Sequence, residues 1–364
     1  MFLKIFSEEH KVYLLTLYEN DEELKLQESI GKYCEDIWFE KQSKVKSLIR
    51  FLLNIPGKSP FQVAYYKKAG LKEKIRQIIE EHHIDCVYFH LIRMASYLNQ
   101  NKTYNILDYT DCISREYERS LSFLPLFRKF FYRVEAKRLR KLETTIWQKF
   151  DDNWFITADD INSLGMENNP HFSVVPNPVN ITETEKNYQL QNKLVFVGNM
   201  SVPHNIQAVE FAVNEVMPTI SDEVKFYILG ANPEKVMRLH ARHRSFVLGF
   251  VPDLYKELSS CDIFLAPMFY SAGIQNKVLE AMACGLPIVT TPAVAASISA
   301  EPGKHLLIAD DKRSFLDQIN RLLADETLRK EIGSKGKELI KNRYDQTHIR
   351  TQILQKMNMI SLSR

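Results

Sequence analysis

Cysteine is scarce in this sequence and unpatterned. Cys34, Cys86, Cys112, Cys261 and Cys284 are odd in number, lie far apart and form no CxxC pair, so neither a disulfide framework nor a zinc site is indicated and a reducing cytosol fits. Long apolar runs are missing as well. Nothing approaches the roughly 18–20 consecutive apolar residues of a membrane span, and the first residues lack the small-residue cleavage pattern of a signal peptide. The chain is expected to stay inside the cell without crossing the bilayer. Charge of one sign is also lacking: 48 Lys and Arg against 45 Asp and Glu leave a net charge of +3. That argues against a surface built as a whole for nucleic acid, and any basic partner surface must be local. No low-complexity tract or repeat occurs, and there is no D-x-D, no G-x-G-x-x-G and no P-loop. The first of these three absences speaks against a divalent ion held on a diphosphate, and the others against a dinucleotide or Walker-type NTPase site.

What is present is a globular composition, 45% hydrophobic, 11% aromatic and 26% charged over 364 residues, long enough for two domains. Short apolar runs alternate with helical patterns: KVYLLTL (11–17), DCVYFH (85–90), YNILDY (104–109), NWFIT (153–157), then KLVFVG (193–198), VKFYILG (224–230), SFVLG (245–249), DIFLAP (262–267) and LPIVTT (286–291). Strands separated by amphipathic helices predict βαβ units and parallel sheets covered on both faces, so the expected class is α/β, twice over. SVVPNPVNITETEKNYQLQNK (173–193) interrupts all periodicity and places a boundary near Pro178. The expected domains are 1–178 and 179–344, with a last helix over 345–364 that packs on either. The start, MFLKIFSEEHKVYLLTL, reads either as an ordinary N-terminal helix or as a domain without its first strand.

The segment GIQNKVLEAMACGLPIVTT (273–291) carries one glutamate among apolar neighbours. Ile274, Val278, Ala281 and Met282 form a buried helical stripe; Gly273, Asn276, Lys277 and Glu280 lie on the other side. Gly285 stops the helix and Pro287 leads into a strand. DIFLAP feeds this helix, so its N-terminus sits at the carboxyl end of a parallel strand, where open α/β sheets bind ligands and where free N–H groups favour an anion. Counted from Gly273, Glu280 lies about 10 Å along the axis, the reach from a diphosphate to the ribose of one nucleotide, whose hydroxyls a carboxylate accepts well. The alternative is a Glu280–Lys277 surface pair, worth a few tenths of a kcal/mol.

FVGNMSVPHN (196–205) and GFVPDLYKELSSCDIFLAP (249–267) supply two further strand ends for the same crevice. In this order and spacing VGNM…PHN, GFVPD, SCDIFLAP and GIQNKVLEAMACGLPIVTT resemble the donor-binding domain of GT-B fold glycosyltransferases, in particular the large retaining group, family 4, of exopolysaccharide and lipopolysaccharide assembly. The match covers roughly 190–345. It reaches more weakly into the first half, through VVPNPVN and DYTDCISREYE. The resemblance implies two Rossmann-like domains facing each other across a cleft, the first lacking its first strand if the second reading of the start holds. It also implies a nucleotide-diphosphate sugar on the second domain, a glycan or lipid-linked acceptor on the first, and transfer without a metal or other cofactor. By that resemblance Glu280 takes the ribose, the backbone of Gly273, Ile274, Gln275 and Asn276 faces phosphates and sugar, Gly198 and Asn199 line the first strand's turn, and Phe250 and Val251 flank the base. Two departures stand out: Ala272 occupies the position of the family's first glutamate, and Asn199 with neutral neighbours replaces its basic residues. Lys277 is the candidate to replace the lost counter-charge, with His204 beside it; the alternatives are a solvated lysine and a loop histidine.

In the first half His90 ends a strand and Asp111 follows one. Either orients an acceptor hydroxyl or donor sugar, or else His90 is structural and Asp111 caps the helix beginning at Cys112 or Ile113. The remaining histidines, including His82 and His83, lack metal-ligand spacing. SKVKSLIRFLLNIPGKSPFQVAYYKKAGLKEKIRQII (43–79) holds nine cations against Glu73, with Val45, Ile49, Leu52 and Leu53 on one helical face. It reads as a surface for an anionic membrane or as a core helix with solvated lysines; RKFFYRVEAKRLRK (128–141) reads more as the latter. No nucleic-acid motif accompanies the charge. The expected function is a cytoplasmic glycosyltransferase of surface polysaccharide synthesis, peripheral at the inner membrane face if 43–79 docks there. The rival is a relative that binds nucleotide-sugar or serves as a scaffold and has lost the reaction.

Overall fold

The computed structural model describes the chain apart from residues 1, 100–101, 122–123, 182–185, 270–272 and 363–364. Two compact units result, Met1–Val175 with Arg350–Arg364, and Pro176–Ile349. The first unit runs α1 (Phe2–Phe6), β1 (Tyr13–Tyr18), α2 (Leu26–Gly31), β2 (Asp36–Lys41), α3 (Lys44–Leu53), α4 (Phe61–Tyr66), α5 (Leu71–Glu81), β3 (Cys86–His90), β4 (Tyr104–Thr110), α6 (Ile113–Ser120), α7 (Leu126–Ile146), β5 (Asp152–Phe155), α8 (Ala158–Ser163) and β6 (Phe172–Val174). β1 and β2 pair in parallel, and β3-β4-β5-β6 form a parallel sheet. The short α1 buries Ile5 and Phe6, with Phe6 edge-on to Tyr88 at 5.5 Å. β2 and β6 escape the apolar pattern for plain reasons: DIWFEK is charged at both ends and half-exposed, and FSV is three residues long.

The second unit runs β7 (Lys193–Val197), α9 (Pro203–Phe211), β8 (Lys225–Leu229), β9 (Ser245–Gly249), α10 (Leu254–Ser259), β10 (Ile263–Ala266), α11 (Asn276–Ala283), β11 (Ile288–Thr290), α12 (Pro292–Ser297), β12 (Leu307–Ile308), α13 (Lys312–Ala324) and α14 (Glu326–Arg343). Its strands lie in the order β12-β11-β10-β7-β8-β9, all parallel. Such a sheet is covered on both faces, which is why its strands read as unbroken apolar runs. Phe196, Phe226 and Phe264 are fully buried, each stabilising the fold by about 1.5–3 kcal/mol relative to exposure. Asp262, buried at the entry to β10, accepts from the backbone N–H of Lys193 at 2.7 Å and of Gln191 at 3.1 Å, and so fixes where β7 begins. Buried Arg329 donates to the carbonyls of Leu322 and Tyr188 at 2.6 and 3.0 Å, tying the turn between α13 and α14 to the interdomain segment. From Arg350 on, α15 (Gln346–Leu362) belongs to the first unit: Lys356 Nζ lies 2.8 Å from Asp152 Oδ2, and Asn358 donates to Glu9 at 2.7 Å.

The helix after β10 starts at Asn276 and not at Gly273, because Gly273 is left-handed at φ +65° and Gln275 is extended at φ −91°, ψ 90°. Glu280 is therefore about 6 Å, not 10 Å, from the helix start along the axis.

Candidate functional site

The order of the second sheet reverses between β7 and β10, so the crevice at their carboxyl ends is the topological switch point where open α/β sheets hold ligands. From β7 the chain passes through Gly198 and Asn199 into α9. A Cβ on Gly198 would lie 2.9 Å from Asn205 Cγ and 3.0 Å from Phe196 Cε1, so only glycine lets this turn close. The neighbouring loop presses on it: Gly230, at φ +122°, would place a Cβ 2.0 Å from Gly198 O. Asn199 Oδ1 accepts from Ser201 N–H at 2.9 Å, Ser201 Oγ at 2.8 Å and Asn232 Nδ2 at 2.7 Å. Its side chain thus builds the turn and supplies no charge.

From β10 the chain enters α11, where the Val278 N–H already donates to the Gln275 carbonyl at 2.8 Å, leaving the N–H groups of Asn276 and Lys277 as the donors that a helix start leaves without intrahelical partners. Lys277 turns inward from that first turn. Its Nζ donates to Asn205 Oδ1 at 2.9 Å and Gln275 Oε1 at 2.8 Å, and faces Met268 Sδ at 3.6 Å and the Phe196 ring at 5.8 Å. It therefore bridges the elements that follow β7 and β10. Burial pulls its pKa down to about 8, with Glu280 opposing. A solvated surface lysine is excluded. Burial, with Lys277 adding, brings His204 down to about 4, so this imidazole is neutral at physiological pH.

Glu280 is half-buried, and its carboxylate makes no hydrogen bond or ion pair with the described residues; the Glu280–Lys277 surface pair does not form. Burial raises its pKa, and Lys277 works against that. Of the other expected residues, Gly273 is buried, Ile274 packs on the core, Gln275 is 7% exposed, and exposed Asn276 sits 3.4 Å from Asn177 Nδ2. Phe250, after left-handed Gly249, is 78% exposed, while Val251 packs on the core and Asp253 caps α10 through Lys256 N–H at 3.0 Å. Ala272 lies outside the described residues.

In the first unit His90 and Asp108 end adjacent strands in register. His90 Nδ1 is 2.8 Å from buried Asp108 Oδ2, which also accepts from the Tyr88 hydroxyl; Asp108 Oδ1 accepts from Thr110 N–H at 2.8 Å. A carboxylate on Nδ1 sets the tautomer with that nitrogen protonated and leaves Nε2 as an acceptor on a ring that is 58% exposed. Asp111 does not cap α6, whose cap position, Cys112, has no side-chain bond. Asp111 Oδ1 is buried without a hydrogen-bond partner among the described residues, and burial reinforced by Asp160, Glu116 and Asp108 raises its pKa to about 7. His82 packs on Tyr13 and Trp38 at 4.6 and 5.5 Å. Among the described residues no group of three or more His, Cys, Asp or Glu is placed to hold a metal.

Asn205 and Asp108 escaped the sequence reading. Asp108 carried a usable signal, a lone carboxylate inside the apolar strand YNILDY, of the same kind as Glu280. Asn205 carried only its place in the first turn of α9.

Two parallel α/β units, the second with a glycine turn, a half-buried, inward-turned lysine and a carboxylate unpaired among the described residues at its switch point, define the GT-B class of fold. Residues 191–325 match the family described as glycosyl transferases group 1, so the second unit carries the glycosyltransferase resemblance read from its motifs. An uncharacterized 44.6 kDa protein in the cps region of Klebsiella pneumoniae is 22% identical over 94% of this chain and 90% of its own length. Phosphatidyl-myo-inositol mannosyltransferase of Mycobacterium leprae is 27% identical over 52% of this chain and 54% of its own, and the capsular polysaccharide biosynthesis glycosyltransferase CapM of Staphylococcus aureus is 25% identical over 42% and 34%. The chain thus matches about half or less of the relatives whose names state an activity. Anabaena HepE, solved with UDP and glucose, superposes with a TM-score of 0.66 at 14% identity, over 96% of this chain and all of HepE.

Proposed function

We propose that this chain transfers a sugar, with retention and without a metal or other cofactor, from a nucleotide-diphosphate sugar to a glycan or lipid-linked acceptor of surface polysaccharide. The observation that carries the reading is Lys277, held between Asn205 and Gln275 across the switch point, with Glu280 unpaired one turn further along α11. The diphosphate lies against the start of α11, where helix N–H groups and the Lys277 ammonium meet the charge that gathers on it as the bond to the sugar breaks; a preorganised donor of this kind is worth about 2.7–4 kcal/mol. Glu280 accepts from the ribose hydroxyls. His90, oriented by Asp108, accepts from a hydroxyl through Nε2, and Asp111, titrating about 7, donates to or accepts from a sugar oxygen.

UDP, which HepE binds in its crystal, is the first probe. The melting temperature of the purified chain should rise with UDP concentration. Glu280→Gln should weaken the effect about tenfold by replacing a charged acceptor with a neutral one, and Lys277→Ala should slow transfer from the accepted UDP-sugar about 100-fold or more. No shift with UDP, ADP or GDP removes the reading. Binding without turnover across sugars and acceptors assigns the chain to the scaffold class, which the neutral Asn199 turn would favour.

A further inference from the structure

α3 is inside out. Its apolar stripe Val45, Leu48, Ile49, Leu52 and Leu53 is 69, 54, 49, 52 and 75% exposed, while Ser47 on the opposite face is fully buried and Arg50 reaches inward to Ser47 Oγ at 2.9 Å. A stripe at this spacing ordinarily faces a core. The beginning of α7 repeats the inversion: Leu126, Phe127, Phe130 and Phe131 are 85, 70, 65 and 43% exposed. The two stretches are locked together. Arg138 of α7 donates to the carbonyls of Asn54 and Ile55, just past α3, at 3.2 and 2.8 Å; buried Glu135 accepts from the Gln62 N–H at 3.0 Å, and the Phe61 ring sits between Phe51 at 4.9 Å and Phe131 at 6.4 Å. The exposed faces therefore form one surface of fixed geometry.

Its charge names the partner. Residues 43–59 contain no carboxylate, and 124–141 contain only Glu135, which is buried and faces inward. Lys46, Lys58, Arg128, Arg133 and Lys137 are exposed. Of the later cations of the basic run, Lys68 and Lys74 are both paired with Glu40, and Arg76 with Glu73. We propose that the exposed apolar faces of α3 and the start of α7, together with exposed cations carried on the same two segments, dock the first unit on a bilayer containing anionic phospholipid. Apolar side chains enter the acyl boundary while lysine and arginine meet phosphates, the arrangement of an interfacial helix. A second copy fits poorly, since a twofold contact would set the same cations face to face. The aromatic end of α7, assigned from sequence to a core helix, is thus part of the surface, whereas Lys68, Lys74 and Arg76 are taken up by carboxylates.

The test needs no enzymatic activity and is independent of the donor site. The purified full chain is sedimented with phosphatidylcholine vesicles with and without phosphatidylglycerol. Binding should be about tenfold or more stronger with phosphatidylglycerol and weaken with salt. Leu48→Ser with Leu52→Ser, Phe127→Ser with Phe130→Ser, and Lys46→Glu with Arg128→Glu should each reduce it about tenfold, with melting temperature unchanged because these side chains are exposed. Equal binding to neutral and anionic vesicles, binding untouched by all three pairs, or no vesicle binding overturns the proposal. So does a dimer in sedimentation velocity that the apolar substitutions dissociate while vesicle binding persists unaltered.

Discussion

Lys277 combines two properties that conflict in a resting protein. It is an ammonium group with good hydrogen-bond acceptors on two sides, and it is buried enough that its pKa falls to about 8. Because the folded pKa lies below the usual lysine value near 10.4, the unliganded fold has a preference for the neutral amine relative to the unfolded chain; the ammonium still predominates at pH 7, at a cost that fades as pH rises from about 8 toward about 10.4. A bound diphosphate reverses the preference. UDP affinity should therefore be flat below about pH 7 and fall by up to about tenfold per unit above pH 8, with proton uptake on binding. Calorimetry in buffers of different ionisation enthalpy measures both, and Lys277→Ala should flatten the profile; an unchanged profile in that variant would move the titrating group elsewhere. The lysine was visible in sequence, but its inward turn was not. That depends on Asn205, 72 residues away, and no local pattern announces such a pairing.

At the scale of elements, hydrophobic spacing predicted that stripes exist and left open what they face. For α11 the stripe Val278, Ala281 and Met282 is fully buried, as its period requires. For α3 an equally regular stripe points to solvent, because Ser47, Arg50 and Phe51 fill the side toward α4. Close helix packing adds a sharper test in α14. There a Cβ on Gly333 would lie 2.2 Å from Gly285 O and 2.7 Å from the Tyr188 hydroxyl. Helix propensity alone says that Gly333→Ala should stabilise by up to about 1 kcal/mol. The contact says the reverse, and we expect a net loss of about 1–3 kcal/mol from overpacking. Urea denaturation decides, and a stabilised variant would show that α14 can shift away from Gly285.

At the scale of the whole molecule, the last helix closes the first unit although the second intervenes in sequence. Lys356 reaches buried Asp152, whose carboxylate also accepts from Trp154 Nε1 at 2.8 Å and Ser173 Oγ at 3.0 Å. Lys356→Ala leaves that carboxylate buried with neutral partners only. We expect a destabilisation of about 1–3 kcal/mol, less than for a fully enclosed pair because Lys356 remains 29% exposed. Hydrogen exchange should localise the loss to strands β4 to β6. UDP affinity should stay within about twofold, since every donor-side residue lies in 176–349 and sites with no shared partners act additively.

The sequence by itself determined the class of this protein. Apolar runs of strand length, spaced by amphipathic helices, commit the chain to parallel α/β units, and the glycine turn with the GIQNKVLEAMACG segment marks one strand-end crevice, because such signals are local and repeat with the period of the backbone. Tertiary structure alone decided which charges are free, which are paired and which are buried. Among the described residues the Glu280 carboxylate and Asp111 Oδ1 have no hydrogen-bond partner, Lys277 and Asp108 are held by hydrogen bonds, Glu40 pairs with two lysines, and a helix that looks built for a core shows its apolar face to solvent. Burial and pairing depend on residues brought together from distant parts of the chain, and these fix the energies that local spacing cannot.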